Sequence, residues 1–98
     1  MTTFLLWAAM NAAIVMDWGQ TRYVAKHPQQ YEEIVNPFLG KHPSVGKVNA
    51  WFIGSLAVNN GAMIALPKRY RPYYAGAVTA YEMRLVIRNN HIGVKIDF

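Results

Sequence analysis

Two long stretches of this chain carry no charged side chain, and a polar segment rich in proline lies between them. The two stretches are Met1–Met16 and Val48–Pro67. Charged residues make up only 15% of the chain, against about 25% in a typical soluble domain. A chain of 98 residues forms at most one domain. A soluble domain of this size buries a small core and normally contains many charged residues. The clustering of the charges therefore predicts a membrane protein.

The apolar stretches predict an all-α fold, a small transmembrane helical bundle with two to three spans. A helix needs about 20 residues to cross the bilayer core of about 30 Å. We place the spans at about residues 3–20, 46–66 and 72–90 of a single membrane domain, 1–98. The first span is slightly short and needs partners, and the third either crosses the membrane or lies in its interface. Residues 21–45 form a loop that caps one end of the bundle.

Small residues on the second predicted span indicate a helix-packing face. Ala57, Gly61 and Ala65 are four apart, and Gly54 lies one turn earlier. Small side chains allow the backbones of two helices to approach closely in lipid. We therefore predict that this face packs against another helix.

Three antiparallel spans would bring the polar residues at their ends to one membrane face. Asp17 lies inside an apolar stretch and needs a basic partner, for which Arg84 or Arg88 is the candidate. The resulting cluster is either a site for a ligand, an ion or a proton, or a set of hydrogen bonds that pins the loop to the bundle. Its predicted members are Asp17, Gln20, Thr21, Asn36, Asn49, Glu82, Arg84, Arg88 and Asn89.

The sequence contains no pattern typical of an enzyme, a metal site or a cofactor site. It has no cysteine, which excludes disulfides and thiolate catalysis. His27, His42 and His91 lack the i, i+4 spacing of a helical zinc site, and no phosphate-binding or dinucleotide-binding loop is present. We therefore predict a protein that is not an enzyme, with no catalytic residue, metal or cofactor.

The net charge of +5 does not indicate a nucleic-acid partner. Lys68, Arg69 and Arg71 alternate with tyrosines, but they directly follow an apolar stretch. Basic and aromatic residues at such a position are typical anchors in the membrane interface. The count of Lys and Arg near the span ends favours the loop 21–45 and the carboxyl terminus on the cytoplasmic side of a bacterial inner membrane, but the compact basic group of Lys68, Arg69 and Arg71 on the other side favours the opposite orientation.

Short motifs spread over most of the chain resemble those of a known group of proteins. They are Asp17-x-x-Gln20-Thr21, Asn36-Pro37-Phe38-Leu39-Gly40, Pro43-Ser44, Glu82, Arg88-Asn89 and Gly93. This pattern resembles small uncharacterised bacterial and phage-encoded multi-pass membrane proteins. In the pattern of that group one residue separates a Glu from the Asn-Pro pair, whereas here two residues separate Glu33 from Asn36. The resemblance implies a role at the host membrane, such as superinfection exclusion or lysis support, and no established activity.

These features predict an integral inner-membrane protein that binds or modulates another membrane or envelope component. Its partners would be the lipid bilayer, another membrane or envelope protein, and further copies of itself. One alternative is a holin-like, pore-forming oligomer lined by Asn59 and Asn60. Another is a membrane ligand binder or enzyme that uses the cluster of Asp17, Glu82 and Arg88.

Overall fold

A computed structural model of the chain describes residues 2–31 and 38–98. It contains three α-helices, α1 (Thr2–Lys26), α2 (Val45–Ala65) and α3 (Arg71–His91), and the described residues contain no strand. The prediction of an all-α bundle of three helices is therefore confirmed.

The first helix is longer than the sequence predicted. The loop was expected to begin at residue 21, but α1 continues to Lys26. Thr21 and Val24 are buried in this extension, so tertiary packing holds these residues in the helix. The helix ends before Pro28, which has no N–H to donate to a preceding turn.

The second and third helices coincide with the predicted spans to within one residue at each end. The hydroxyl of Ser44 accepts a hydrogen bond from the backbone N–H of Lys47 at 3.1 Å and so caps the start of α2. Pro72 lies in the first turn of α3, where its missing N–H is tolerated. Within the described residues, none of the three helices combines the length and the apolar character that a membrane crossing requires.

Helix α1 is the centre of the bundle, because it packs along both α3 and α2 whereas those two helices barely touch each other. The apolar core between the helices is small. Its fully or almost fully buried members are Met10, Ile14, Val48, Phe52, Met63 and Ala75.

Many large apolar side chains point away from this core. More than half of the surface of each of the following remains exposed: Phe4, Ile53, Val58, Ile64, Tyr73 and Ile87. The small residues of α2, Gly54, Ala57, Gly61 and Ala65, are exposed as well. A Cβ added at either glycine would meet no other atom within 4 Å. The four small residues of the predicted packing face therefore lie on the outer surface of α2 in the single chain.

The segment 92–98, here called the return segment, folds back against α1 after α3 ends. Gly93 has a φ of +96°, a backbone conformation that glycine adopts at little cost and that reverses the chain here. The backbone N–H of Asp97 donates to the carbonyl oxygen of Gly19 at 3.1 Å. Phe98 packs edge-on against Trp18, with 5.9 Å between the ring centroids.

Candidate functional site

The most buried polar side chains of the described residues lie on α1, where it faces α3. Asp17 is only 8% exposed, and its carboxyl group lies next to that of Glu82, whose Oε2 atom is buried without a hydrogen-bond partner among the described residues. The Thr21 hydroxyl donates to the backbone carbonyl oxygen of Asp17 at 2.9 Å and also lies 3.3 Å from Asp17 Oδ1. A hydrogen bond between two carboxyl groups requires a proton on one of them. The two neighbouring carboxyl groups between α1 and α3 therefore repel each other unless one of them carries a proton.

Gln20 joins α1 to α3 one turn further along. Its side chain is 1% exposed, and its Nε2 donates to the carbonyl oxygen of Val86 at 2.9 Å. Its Oε1 accepts from the Asn89 side chain at 3.2 Å. Both ends of this buried amide are thus satisfied, as buried polar groups generally require.

The prediction that Arg84 or Arg88 pairs with Asp17 is wrong. Arg84 and Arg88 are exposed, and neither forms an ion pair with Asp17 within the part of the chain that the structure describes. They are four residues apart and share one face of α3, whereas Glu82 and Asn89 lie on the face that meets α1. The buried acid of α1 is therefore paired with a second acid and not with a base.

Asn49 belongs to a different cluster, on the side of α1 that faces α2. Its Oδ1 accepts from Trp18 Nε1 at 2.9 Å and from Arg22 Nη1 at 2.6 Å. Arg22 also donates through Nη2 to the carbonyl oxygen of Phe98 at 3.2 Å. Arg22 and Asn49 thus tie α1, α2 and the return segment together.

A third cluster lies near the middle of α2. Asn60 Oδ1 accepts from Trp7 Nε1 at 2.7 Å and from Asn11 Nδ2 at 3.0 Å, and its own Nδ2 donates to Asn11 Oδ1 at 2.7 Å. The neighbouring Asn59 Oδ1 accepts from the Tyr74 hydroxyl at 2.7 Å, which joins α2 to α3. These two asparagines therefore form hydrogen bonds to both neighbouring helices.

The structure brings together five of the predicted site residues and separates the others. Those that meet are Asp17, Gln20, Thr21, Glu82 and Asn89. Asn36 lies outside the described residues. Sequence reasoning missed the partners that complete the other clusters, namely Trp7, Asn11, Trp18, Arg22 and Tyr74.

Comparison with known proteins adds no assignment to this geometry. No protein-family model matches the chain, and neither a curated protein nor a solved structure shows significant similarity to it. In residues 2–31 and 38–98, no group of three or more acidic or imidazole side chains could hold a metal ion. The resemblance to bacterial and phage membrane proteins thus stays a prediction.

The paired carboxyl groups lead to a first testable prediction. We expect Glu82→Gln to raise the free energy of unfolding by about 1 kcal/mol, because the introduced amide donates to Asp17 without a bound proton and without like-charge repulsion. The control Glu82→Leu cannot donate to Asp17 and should lower that free energy by about 1–3 kcal/mol. Unfolding followed by circular dichroism measures both. Equal destabilisation by the two substitutions would contradict a contact between the two carboxyl groups.

Proposed function

We propose that the chain is a small integral protein of the bacterial inner membrane that acts without catalysis. It is embedded as an assembled bundle and binds another membrane component, in the first place a second copy of itself. The resemblance to phage-encoded membrane proteins adds superinfection exclusion or lysis support as the process that such a protein would serve.

The observation that carries this proposal is the placement of polar and apolar side chains. The polar groups of α1 and α2 form hydrogen bonds between the helices, as at Asn11, Asn49 and Asn60. Large apolar side chains such as Ile53 and Ile87 face outward. Lipid favours this arrangement, because an unsatisfied polar group costs several kcal/mol in the hydrocarbon region. The same asparagines lower the hydropathy of their helices, but each has its partner inside the bundle.

The outer face of α2 supports binding to a second copy. This face is smooth because its exposed residues are small, namely Gly54, Ala57, Gly61 and Ala65. A Cβ added at either glycine would meet no atom of the described residues within 4 Å. The stretch Val48–Pro67 carries no charge, so two copies could pair along this face without electrostatic repulsion. Small residues at this spacing permit close contact between helices in lipid.

The two alternatives from the sequence have weaker support. A holin-like pore lined by Asn59 and Asn60 would need their amides to face water, whereas both form hydrogen bonds within the chain. A ligand site built on Asp17, Glu82 and Arg88 would need these groups together, and Arg88 is exposed on another face of α3.

Membrane extraction combined with cysteine cross-linking tests the proposal. The chain has no cysteine, so Gly61→Cys introduces a single thiol at a position with open space around it. We expect the protein to stay in membranes washed with alkaline carbonate, and we expect an oxidant to convert Gly61→Cys into a disulfide-linked dimer. The matched control is Gly76→Cys, the same change on α3, also in open space.

The two readouts separate the two parts of the proposal. Release of the protein by carbonate would contradict membrane embedding. Retention in the membrane with equal cross-linking at both positions would contradict a specific contact through the outer face of α2. Retention in the membrane together with a dimer that forms through Gly61→Cys and not through Gly76→Cys supports both parts.

A further inference from the structure

An open groove lies beside the carboxyl-terminal half of α1, between that helix, α3 and the return segment. Its volume is about 390 Å³, which is within the range of about 300–1,000 Å³ typical of small-ligand sites. Most of its wall is apolar. The residues that matter for its chemistry are Met16, Met83, Ile87, Ile96, Asn90 and Lys95.

The groove has one charged group available to a ligand. Gln20 also lines it, but both ends of its amide are already bonded to α3. Lys95 is exposed and forms no ion pair within the described residues. It therefore places a free ammonium group on an otherwise apolar surface.

No carboxylate of the described residues competes for this ammonium group. Asp17 is buried against Glu82, and Asp97 forms an ion pair with Lys26 at 3.4 Å. A ligand that matches the groove thus has a long apolar part and a negative charge at one end. A free phosphate ion would leave the apolar wall unused.

We propose that this groove binds one acyl chain of an anionic phospholipid, with Lys95 at the headgroup phosphate. The inference rests on the proposed membrane residence of the chain. Methionine and isoleucine side chains contact the hydrocarbon, and Met16 and Met83 can adjust to an irregular chain because their side chains are unbranched. Lys95 selects the anionic headgroup, since basic pockets beside membrane helices bind such headgroups.

Native mass spectrometry of the purified protein in detergent tests this proposal. The probes are dioleoyl phosphatidylglycerol, which is anionic, and dioleoyl phosphatidylcholine, which is zwitterionic. We expect phosphatidylglycerol to bind about fivefold more tightly, the factor expected for one basic side chain at the headgroup. Lys95→Gln should remove this preference, while the control Lys68→Gln, an exposed lysine outside the groove lining, should retain it.

A second variant tests the apolar wall. Ile87→Trp adds a large side chain to the lining and should reduce the binding of both lipids. Equal affinity for the two lipids, or equal loss of preference in Lys95→Gln and Lys68→Gln, would overturn the proposal. Such a result in a protein that stays in carbonate-washed membranes contradicts the lipid site alone, whereas release by carbonate contradicts the proposed function.

Discussion

Replacing Asn60 with leucine is expected to lower the free energy of unfolding by about 2–4 kcal/mol. The substitution removes the acceptor of the Trp7 indole N–H and both hydrogen bonds that the Asn11 carboxamide makes with α2, so that Asn11 Oδ1 loses its donor. These groups lie between α1 and α2, and a polar group that is left without a partner costs about 1–3 kcal/mol. Denaturant unfolding in detergent micelles, followed by circular dichroism, measures the change.

A double substitution separates this mechanism from a simple loss of packing. Asn11→Leu combined with Asn60→Leu removes both sides of the amide pair, so the double variant should be less destabilised than the sum of the two single variants. The control is Asn90→Leu on the exposed face of α3, with an expected change below about 0.5 kcal/mol. Strict additivity of the two single effects would show that the two amides do not depend on each other.

The helices were predictable from the sequence because their signals are long and local. Two charge-free stretches fix α1 and α2, and proline residues mark where helices begin or end. The end of α1 was missed, because Thr21, Arg22 and Lys26 end the apolar stretch, whereas packing keeps these residues helical. Thr21, for example, is 3% exposed.

The partners within the candidate site were not predictable, because they depend on how each helix is rotated. Successive residues on a helix differ by about 100°, so Glu82 and Arg84 cannot both face α1. Opposite charge favoured Arg84 or Arg88 as the partner of Asp17, but the apolar neighbours of Glu82 decide which face of α3 is buried. Val86, one turn from Glu82, is 5% exposed and belongs to that face.

The sequence of the return segment has no hydrophobic periodicity from which its packing could be predicted. One residue of α1, Gly19, nevertheless indicates that another part of the chain approaches the helix closely. A glycine inside a helix costs about 1 kcal/mol relative to alanine, and Gly19 lies inside α1, which continues to Lys26. Such a glycine often marks a close approach by another part of the chain. Here the approaching part is Ile96 and Phe98.

Introducing leucine at Gly19 is therefore expected to detach the return segment from α1. A Cβ at this position would lie 2.5 Å from Ile96 Cγ2 and 2.7 Å from Phe98 Cε2, closer than packed atoms allow. Overpacking of this kind costs about 1–3 kcal/mol. A leucine side chain extends beyond its Cβ into the space of both side chains, so we expect the segment to move away, which breaks the hydrogen bond from the Asp97 N–H to the Gly19 carbonyl oxygen. Hydrogen exchange at the Asp97 amide should then accelerate by at least tenfold.

The same detachment should expose the peptide bond after Lys95 to trypsin. Gly76→Leu is the matched control, because a Cβ at Gly76 meets no atom within 4 Å, and it should change neither exchange at Asp97 nor cleavage at Lys95. If Gly19→Leu leaves both readouts unchanged, the return segment does not pack on α1 as described. Since Lys95 and Ile96 belong to the lipid groove, detachment should also remove the preference for phosphatidylglycerol, which links the packing of one glycine to the binding of a lipid.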